Sequence, residues 1–408
     1  VRLVHLEKDF SIKVSSVMGT YINPEHVYIP MPFGYSLRVK FNEVVFKGQV
    51  ILENDSGISI NSSISGKVVG VKDCTNSFGK VQKCIVVEND FKENFKKRPG
   101  TKRIINELSK EELIRKIEDN GVTDFSKPYS MLHKTFRKKT MIKNIVFNGI
   151  DIEPYVASES FVLRNYTDEL LEMLDALNDI IKPDNLFLVL KSSDGENIDK
   201  LNNLIGTYPK IKLKIVPDAY PIGNDIVLLN YLFNKNVNYD ESLVLSATNT
   251  YAVYNAIKRN RQLTERMVTI SGNGIKNPQV FNMKIGALVM PLVQDQIELK
   301  SEKKLRYYAN GLMTGTEVKI DELIVTNDMT SLIINEEEHR ESDPCISCGK
   351  CFESCPININ PKFIMDNIDS DVVLMRSKKE SCIACGLCSY VCPAKIKLNK
   401  YVRGDKCE

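Results

Sequence analysis

The chain has 408 residues, too many for one compact core, so more than one domain is expected. Its composition, 43% hydrophobic and 26% charged, is that of a soluble globular protein, and no run of about 18 apolar residues encodes a transmembrane helix. With 55 basic against 52 acidic residues the net charge is +3, and no long basic arm is present, which excludes a nucleic-acid footprint. Val1 to Phe10 mixes charges with apolar residues and does not read as a signal peptide.

From about Val27 to Asp90 the signals are β. Val44 to Leu52 is apolar and β-branched around a turn at Lys47-Gly48-Gln49, and Ile58 to Val71 alternates at period two with a break at Gly66. The pair Lys47-Gly48-Gln49 and Ser65-Gly66-Lys67-Val68 looks like the two halves of a biotinyl- or lipoyl-type barrel-sandwich hybrid. No lysine stands at a hairpin tip beside Met, so covalent lipoylation or biotinylation is not expected. Cys74 and Cys84 flank a hairpin turn at Asn76-Ser77-Phe78-Gly79 and read as ordinary thiols, with a regulatory disulfide as the alternative. Residues 91–103 read as a charged, solvated connector.

Residues 109–270 carry an α/β pattern. Ser109 with Glu112 forms a capping box for a helix to Asn120, with Gly121 at its end. The basic run His133 to Lys139 reads as a solvated face, with a phosphate or acidic partner as the alternative. A strand is expected at Asn144–Asn148. A helix follows from Thr167, with Leu170, Leu174, Leu177 and Ile181 on one face and Pro183 as its stop. Strands at 186–190, 211–216 and 242–246 alternate with helices at 196–206 and 250–259, which implies a mainly parallel, helix-covered sheet. Such sheets bind ligands at the carboxyl ends of their strands. Residues 265–320 turn β-rich again. Their Gly-rich turn at Gly272-Asn273-Gly274 is no dinucleotide fingerprint, because it lacks G-x-G-x-x-G and precedes no helix.

The strongest chemistry lies near the C-terminus. Cys345, Cys348, Cys351, Cys355 and Pro356 form one C-x2-C-x2-C-x3-C-P run; Cys382, Cys385, Cys388, Cys392 and Pro393 form a second. This is the bacterial run that holds [4Fe–4S] clusters, whose fourth Cys ligates the other cluster in two-cluster ferredoxins. The spacing therefore assigns Cys345, Cys348, Cys351 and Cys392 to one cluster, and Cys382, Cys385, Cys388 and Cys355 to the other. Zinc knuckles would pair C-x2-C units across a longer spacer instead of repeating cysteines every third position. A disulfide framework is disfavoured because only Cys74 and Cys84 precede Cys345. Cluster cysteines must stay reduced until iron and sulfide arrive, which favours the cytoplasm. The four histidines, His5, His26, His133 and His339, share no metal spacing, and Cys407 reads as a free tail thiol.

The order of parts resembles RnfC, the peripheral subunit of the Rnf ferredoxin:NAD oxidoreductase, over roughly residues 25–400. PrdC, the electron-transfer protein of proline reductase, has the same architecture. Phe147-Asn148-Gly149-Ile150-Asp151-Ile152-Glu153-Pro154-Tyr155 is similar to the family's N-G-x-E-C-E-P-Y. Ala219 to Gly223 is similar to its Y-P-x-G, Ala247 to Thr250 to its N-V-x-T, Glu265 to Gly272 to its E-R-x-V-T-V-x-G, and Gly311 to Gly315 to its G-P-M-M-G. The resemblance implies four parts: a barrel-sandwich-hybrid β domain (1–100), an α/β domain like the flavin-bearing subunit of complex I (101–262), a β-grasp segment (263–335), and a two-[4Fe–4S] ferredoxin-type module (336–408). It also implies FMN, with Asn148, Glu153 and Asn249 as flavin contacts. The bland reading is a turn at Asn148-Gly149 and Glu153-Pro154, and a helix cap at Asn249.

The departures bear on the same site. Where the family has G-G-A-G-F-P-T, this chain reads Gly121 to Ser130 with one glycine, and with Asp124 where a phosphate would lie. Ile152 and Glu159 replace the Cys and Asp of E-C-E-P-Y-x-x-x-D, and the N-terminal H-P-P and Q-H-I-G motifs are missing. These changes argue against NADH. The expected role is electron transfer through two clusters, between a nucleotide, flavin or protein donor and a partner oxidoreductase. The alternative is a relay or docking subunit whose α/β domain has lost flavin and NADH. Expected partners are membrane Rnf-type subunits, a soluble reductase or a ferredoxin, placing the chain in the cytoplasm or, through partners, at the inner face of the membrane.

Overall fold

A computed structural model describes residues 2–6, 14–55, 58–95, 105–125, 130–300, 304–337, 342–368 and 381–402. The first part is a β-sandwich of β1 (His26–Pro30), β2 (Tyr35–Leu37), β3 (Val44–Val45), β4 (Val50–Asn54), β5 (Ser59–Asn61), β6 (Gly66–Thr75) and β7 (Val81–Asn89). Its sheets, β1-β7-β6-β3 and β2-β4-β5, are antiparallel throughout. Val27, Ile51, Leu52, Ile64, Val68 and Val87 fill the space between them. Gly66 starts β6 because a Cβ there would stand 1.8 Å from the Glu88 carbonyl oxygen.

The connector expected to be solvated is in part a clamp. Lys47 N–H donates to the Asn94 carbonyl, and the Glu93 carboxylate pairs with Lys47 (2.5 Å) and Lys284 (2.9 Å). Glu265 closes the quartet at 2.9 Å from Lys47 and 2.7 Å from Lys284, tying the β-sandwich to the third part of the chain. Burial opposes ionisation of Glu265, but the two lysines outweigh it and hold its carboxyl at about 2. Residues 96–103 of that connector lie outside the described residues.

The α/β part contains α1 (Lys110–Asp119), α2 (Leu132–Lys138), β8 (Asn144–Asn148), α3 (Ser158–Asn165), α4 (Thr167–Ile181), β9 (Asn185–Lys191), α5 (Gly195–Leu204), β10 (Lys212–Val216), α6 (Asp225–Leu232), β11 (Ser242–Ser246) and α7 (Ala247–Lys258). The Ser109/Glu112 capping box is present, with both reciprocal bonds. The sheet order is β10-β9-β8-β11 and every pair is parallel. Residues alternate between two cores: Ile145, Phe147, Leu186 and Leu188 face α1, α4 and α7, whereas Val146, Phe187 and Val189 face α6. The basic run is α2, and only part of it is a solvated face. Leu132, His133 and Phe136 are buried, with His133 Nε2 3.5 Å from Glu118; burial lowers the imidazole's pKa.

The third part is a β-grasp of β12 (Glu265–Ser271), β13 (Gln279–Lys284), α8 (Met290–Gln296), β14 (Leu305–Ala309), β15 (Thr316–Val318) and β16 (Ser331–Glu336). Its sheet order is β13-β12-β16-β14-β15, with the first and last strands parallel at the centre. Among the described residues the C-terminal module carries four short helices: α9 (Lys350–Glu353), α10 (Pro361–Asp366), α11 (Leu387–Tyr390) and α12 (Asn399–Val402).

Candidate iron–sulfur and flavin sites

The two cysteine runs have one backbone shape, repeated. Ser347 and Ala384, each between the first two cysteines of a run, take φ values of 56° and 57°. Gly349 and Gly386 follow the second cysteine at φ 76° and cap α9 and α11. Asn358 and Lys395, each three residues past the fourth cysteine, take φ 59° and 55°. Backbone N–H groups already point at thiol sulfurs: Ser347 N to Cys345 Sγ (3.4 Å), Ala384 N to Cys382 Sγ (3.3 Å) and Ile359 N to Cys355 Sγ (3.3 Å). Donors to sulfur are what an anionic thiolate set requires.

The runs are interleaved. Cys355, from the first run, lines one apolar recess with Cys382, Cys385 and Cys388 from the second. Cys392, from the second run, packs in one apolar cluster with Cys351 from the first. Burial pushes the Cys385 and Cys388 thiols up to about 12, with Cys355 and Cys382 close enough to add to both shifts. Without metal these are protonated thiols; iron coordination displaces the proton. Among the described residues no three His, Cys, Asp or Glu side chains gather tightly enough to hold a single metal ion. A cubane makes no such demand, because each thiolate binds its own iron. This donor set fits two [4Fe–4S] clusters.

The two sets differ in their surroundings. Cys345 and Cys348 are exposed, as are Ile346 and Phe352 beside them. The Arg2 guanidinium lies 5.2 Å over the Phe352 ring and donates to the Phe352 carbonyl at 2.7 Å. The second run instead sits on the body of the protein. Ile383 packs against the α6-side core, and the Tyr220 hydroxyl donates to the Cys385 carbonyl at 2.6 Å. Tyr220 and Met313 carry this seat. In the sequence both are motif letters only; their meeting with residues 385–386 has no local signal, since Tyr220 and Cys385 are 165 positions apart.

The three residues expected to contact flavin are placed in the α/β part, where the chain itself already engages them. Asn148, at the end of β8, donates to the Gly223 carbonyl at 2.8 Å and accepts from Ile150 N–H. Asn249, in the first turn of α7, donates to the Thr123 carbonyl at 2.8 Å and accepts from Phe125 N–H at 3.2 Å. Glu153 accepts from Met313 N–H at 2.8 Å and Thr314 N–H at 3.4 Å; burial raises its pKa against these bonds. Glu159 fills the N-terminal end of α7, accepting from Thr248 N–H (2.8 Å) and the Thr248 hydroxyl (2.7 Å). That end is where a phosphate would otherwise be drawn.

A cavity of about 610 Å3 opens at the carboxyl ends of β8, β9 and β10. Among the described residues Asp151, Glu153, Asp194 and Asp218 line it, against one basic side chain, Lys191, which lies 3.6 Å from Asp218. A lining so rich in carboxyl groups gives a phosphate few positive partners. In the segment that replaces the Gly-rich loop, Val122, Asp124 and Phe125 direct their N–H groups into the protein. Residues 126–129 of that segment lie outside the described residues. The described residues thus offer the phosphate of FMN no cradle.

Three family models match the chain in order. They describe an RnfC barrel sandwich hybrid domain at residues 4–92, a Nuo51 FMN-binding domain at 113–257 and a 4Fe-4S dicluster domain at 344–396. Taken in order, these stretches resemble RnfC. It is 28% identical over 360 residues to the C subunit of the proton-translocating ferredoxin:NAD(+) oxidoreductase complex of Clostridium ljungdahlii, covering 84% of this chain and 78% of the relative. It is 24% identical over 358 residues to the C subunit of the ion-translocating oxidoreductase complex of Pasteurella multocida, covering 83% of this chain but only 42% of that relative. The RnfC-like chain therefore spans less than half the length of the Pasteurella relative. The fold is also that of a chain in the crystal structure of an NAD+-reducing [NiFe]-hydrogenase in the air-oxidized state, with a TM-score of 0.50, 13% identity, and coverage of 72% of this chain and 63% of that one.

Proposed function

We propose that this RnfC-like chain is an electron-transfer subunit that passes single electrons between protein partners. In this reading Cys345, Cys348, Cys351 and Cys392 hold one [4Fe–4S] cluster, and Cys382, Cys385, Cys388 and Cys355 hold the other. The carrying observation is the interleaving of the two runs, with Cys355 beside Cys382, Cys385 and Cys388. When bound, the clusters supply one-electron storage and transfer. The chain's residues do the rest: they fix the thiols, keep one set against the body, and leave the other at the surface.

The α/β part then serves as scaffold, because Asn148, Asn249 and Glu159 are engaged within it. Separate sheets and the cysteine module support the four-part division at 1–100, 101–262, 263–335 and 336–408, with Val4 and Gly19 of the first part bridged to Tyr220 and Phe281. The partners in this reading are the other subunits of an Rnf-type complex, a soluble reductase or a ferredoxin. They hold the chain in the cytoplasm or at the inner face of the membrane. A second reading, with a nucleotide or flavin donor, is favoured by the cavity of about 610 Å3 beside Tyr220.

Anaerobic purification with iron counted and acid-released flavin assayed decides between them. Two four-iron clusters, no flavin and no bleaching by NADH are the expected result. Stoichiometric FMN with NADH-driven bleaching overturns the relay in favour of the second reading. Absence of iron overturns both.

A further inference from the structure

The peptide that joins Cys385 to Gly386 is held from both ends by residues far away in sequence. On its carbonyl side stands Tyr220, 4% exposed, whose hydroxyl is 2.6 Å from the Cys385 oxygen and 3.3 Å from Glu153 Oε1. Tyr220 is itself strapped in place: its N–H donates to the Val4 carbonyl and its carbonyl accepts from Val4 N–H, both at 2.8 Å. On the Gly386 side stands Met313. A Cβ at Gly386 would lie 2.3 Å from the Met313 carbonyl oxygen, and φ there is +76°. Met313 is fixed in turn by its N–H to Glu153. Glu153 thus contacts both clamps.

Among the described residues the equivalent peptide of the first run has no such seat. A Cβ at Gly349 would find only the Glu353 carboxylate, at 4.0 Å, and Cys348 is exposed. One backbone shape therefore has two environments, and the difference falls on a cysteine ligand.

We propose that Tyr220 is a positioning residue that tunes the inner site, the one formed by Cys355, Cys382, Cys385 and Cys388. The inference rests on the reading that these four cysteines hold a cluster. A hydroxyl donating to a peptide carbonyl polarises that peptide, so the N–H at Gly386 becomes more positive. A peptide polarised in this way, adjoining the Cys385 ligand, favours the reduced, more negative state, and hydrogen bonds of this kind are among the determinants of cluster potentials. Removing the hydroxyl lowers the potential of the inner cluster and leaves the outer one where it was. The gap between the two potentials therefore changes with this contact.

The test is Tyr220→Phe in the full chain, purified anaerobically, with iron counted and the clusters titrated with dithionite under EPR. Cys382→Ser identifies the inner signal as the one it abolishes. Equal iron in parent and Tyr220→Phe, with only the inner midpoint moved to lower potential, is the expected result. Unchanged midpoints, or a shift of the signal that survives Cys382→Ser, overturn the proposal. A parent chain without two clusters overturns the underlying reading instead. Should Tyr220→Phe fail to fold, Gly386→Ala probes the same peptide from the Met313 side while keeping Tyr220. It is expected to shift or abolish the inner signal alone, and an unmoved inner signal overturns the proposal.

Discussion

The cysteine module and the α/β part both carry motif residues expected to do chemistry, and they differ in one physical respect. In the module the thiols converge across two runs and receive N–H groups on sulfur. In the α/β part the side chains expected to meet a ligand are already engaged by the chain: Asn148 by Gly223 and Ile150, Asn249 by Thr123 and Phe125, Glu153 by Met313. A buried amide with both its donor and its acceptor matched has little left to offer a cofactor. Motif letters persist in both regions, but only hydrogen-bond accounting separates a site from a scaffold.

The largest expected effect separates the two regions by their iron. Cys385→Ser should lose one of two clusters, and Cys355→Ser, from the other run, should lose the same EPR signal. Cys348→Ser and Cys392→Ser should together lose the other. Iron falls to about half in each variant, since each cluster takes four cysteine ligands. If Cys355→Ser instead removes the signal lost in Cys348→Ser, the crossed ligation is wrong.

The module was legible because its chemistry is local: the ligand spacing, the glycines at φ 76° and the prolines lie within a dozen residues. The capping box at Ser109 and the long helix from Thr167 were legible for the same reason. Helices α3, α6 and α8 were not. Each is short, at 8, 8 and 7 residues, and its stability comes from packing that a single turn of sequence does not announce. The β-grasp was implied by resemblance alone. Its defining pair, β12 beside β16, joins Thr269 to Ser331 across some sixty positions. In the sequence Glu159 is only a replacement for Asp. Its role at the end of α7 depends on where Thr248 lands, which no local pattern fixes. Lys47 belongs to a turn signature and Glu93 to a charged connector, and neither announces that they meet Glu265 and Lys284 in a four-membered ion network.

A smaller effect is expected on the scaffold side. Asn249→Ala leaves the Thr123 carbonyl and the Phe125 N–H without their partner, which costs about 1–3 kcal/mol for buried polar groups. Urea unfolding should register that loss while iron and flavin contents stay as in the parent. A variant of unchanged stability that loses bound flavin would move Asn249 from scaffold to site and break the contrast between the two regions.

The smallest effect concerns Asp151, which lines the cavity at the strand ends and caps α3 through Glu159 N–H (2.7 Å) and Ser160 N–H (3.2 Å). Burial pushes its carboxyl up to about 7, against those bonds. An unfolded aspartate titrates near pH 3.9, so the folded chain holds a proton that the unfolded chain has released over the interval between. The contribution is fully present below the unfolded value and is lost as pH rises through about 7. Stability should therefore fall between about pH 4 and pH 7, by at most about 1.4 kcal/mol per pH unit, and level off above. Asp151→Asn keeps an acceptor for the α3 N–H groups and removes the titration, so its urea midpoint should be flatter over that interval. A parent and variant with parallel profiles would mean that water or an ion in the cavity solvates Asp151. The cavity beside the inner cluster would then be a polar, accessible site, and the case for a pure scaffold would weaken.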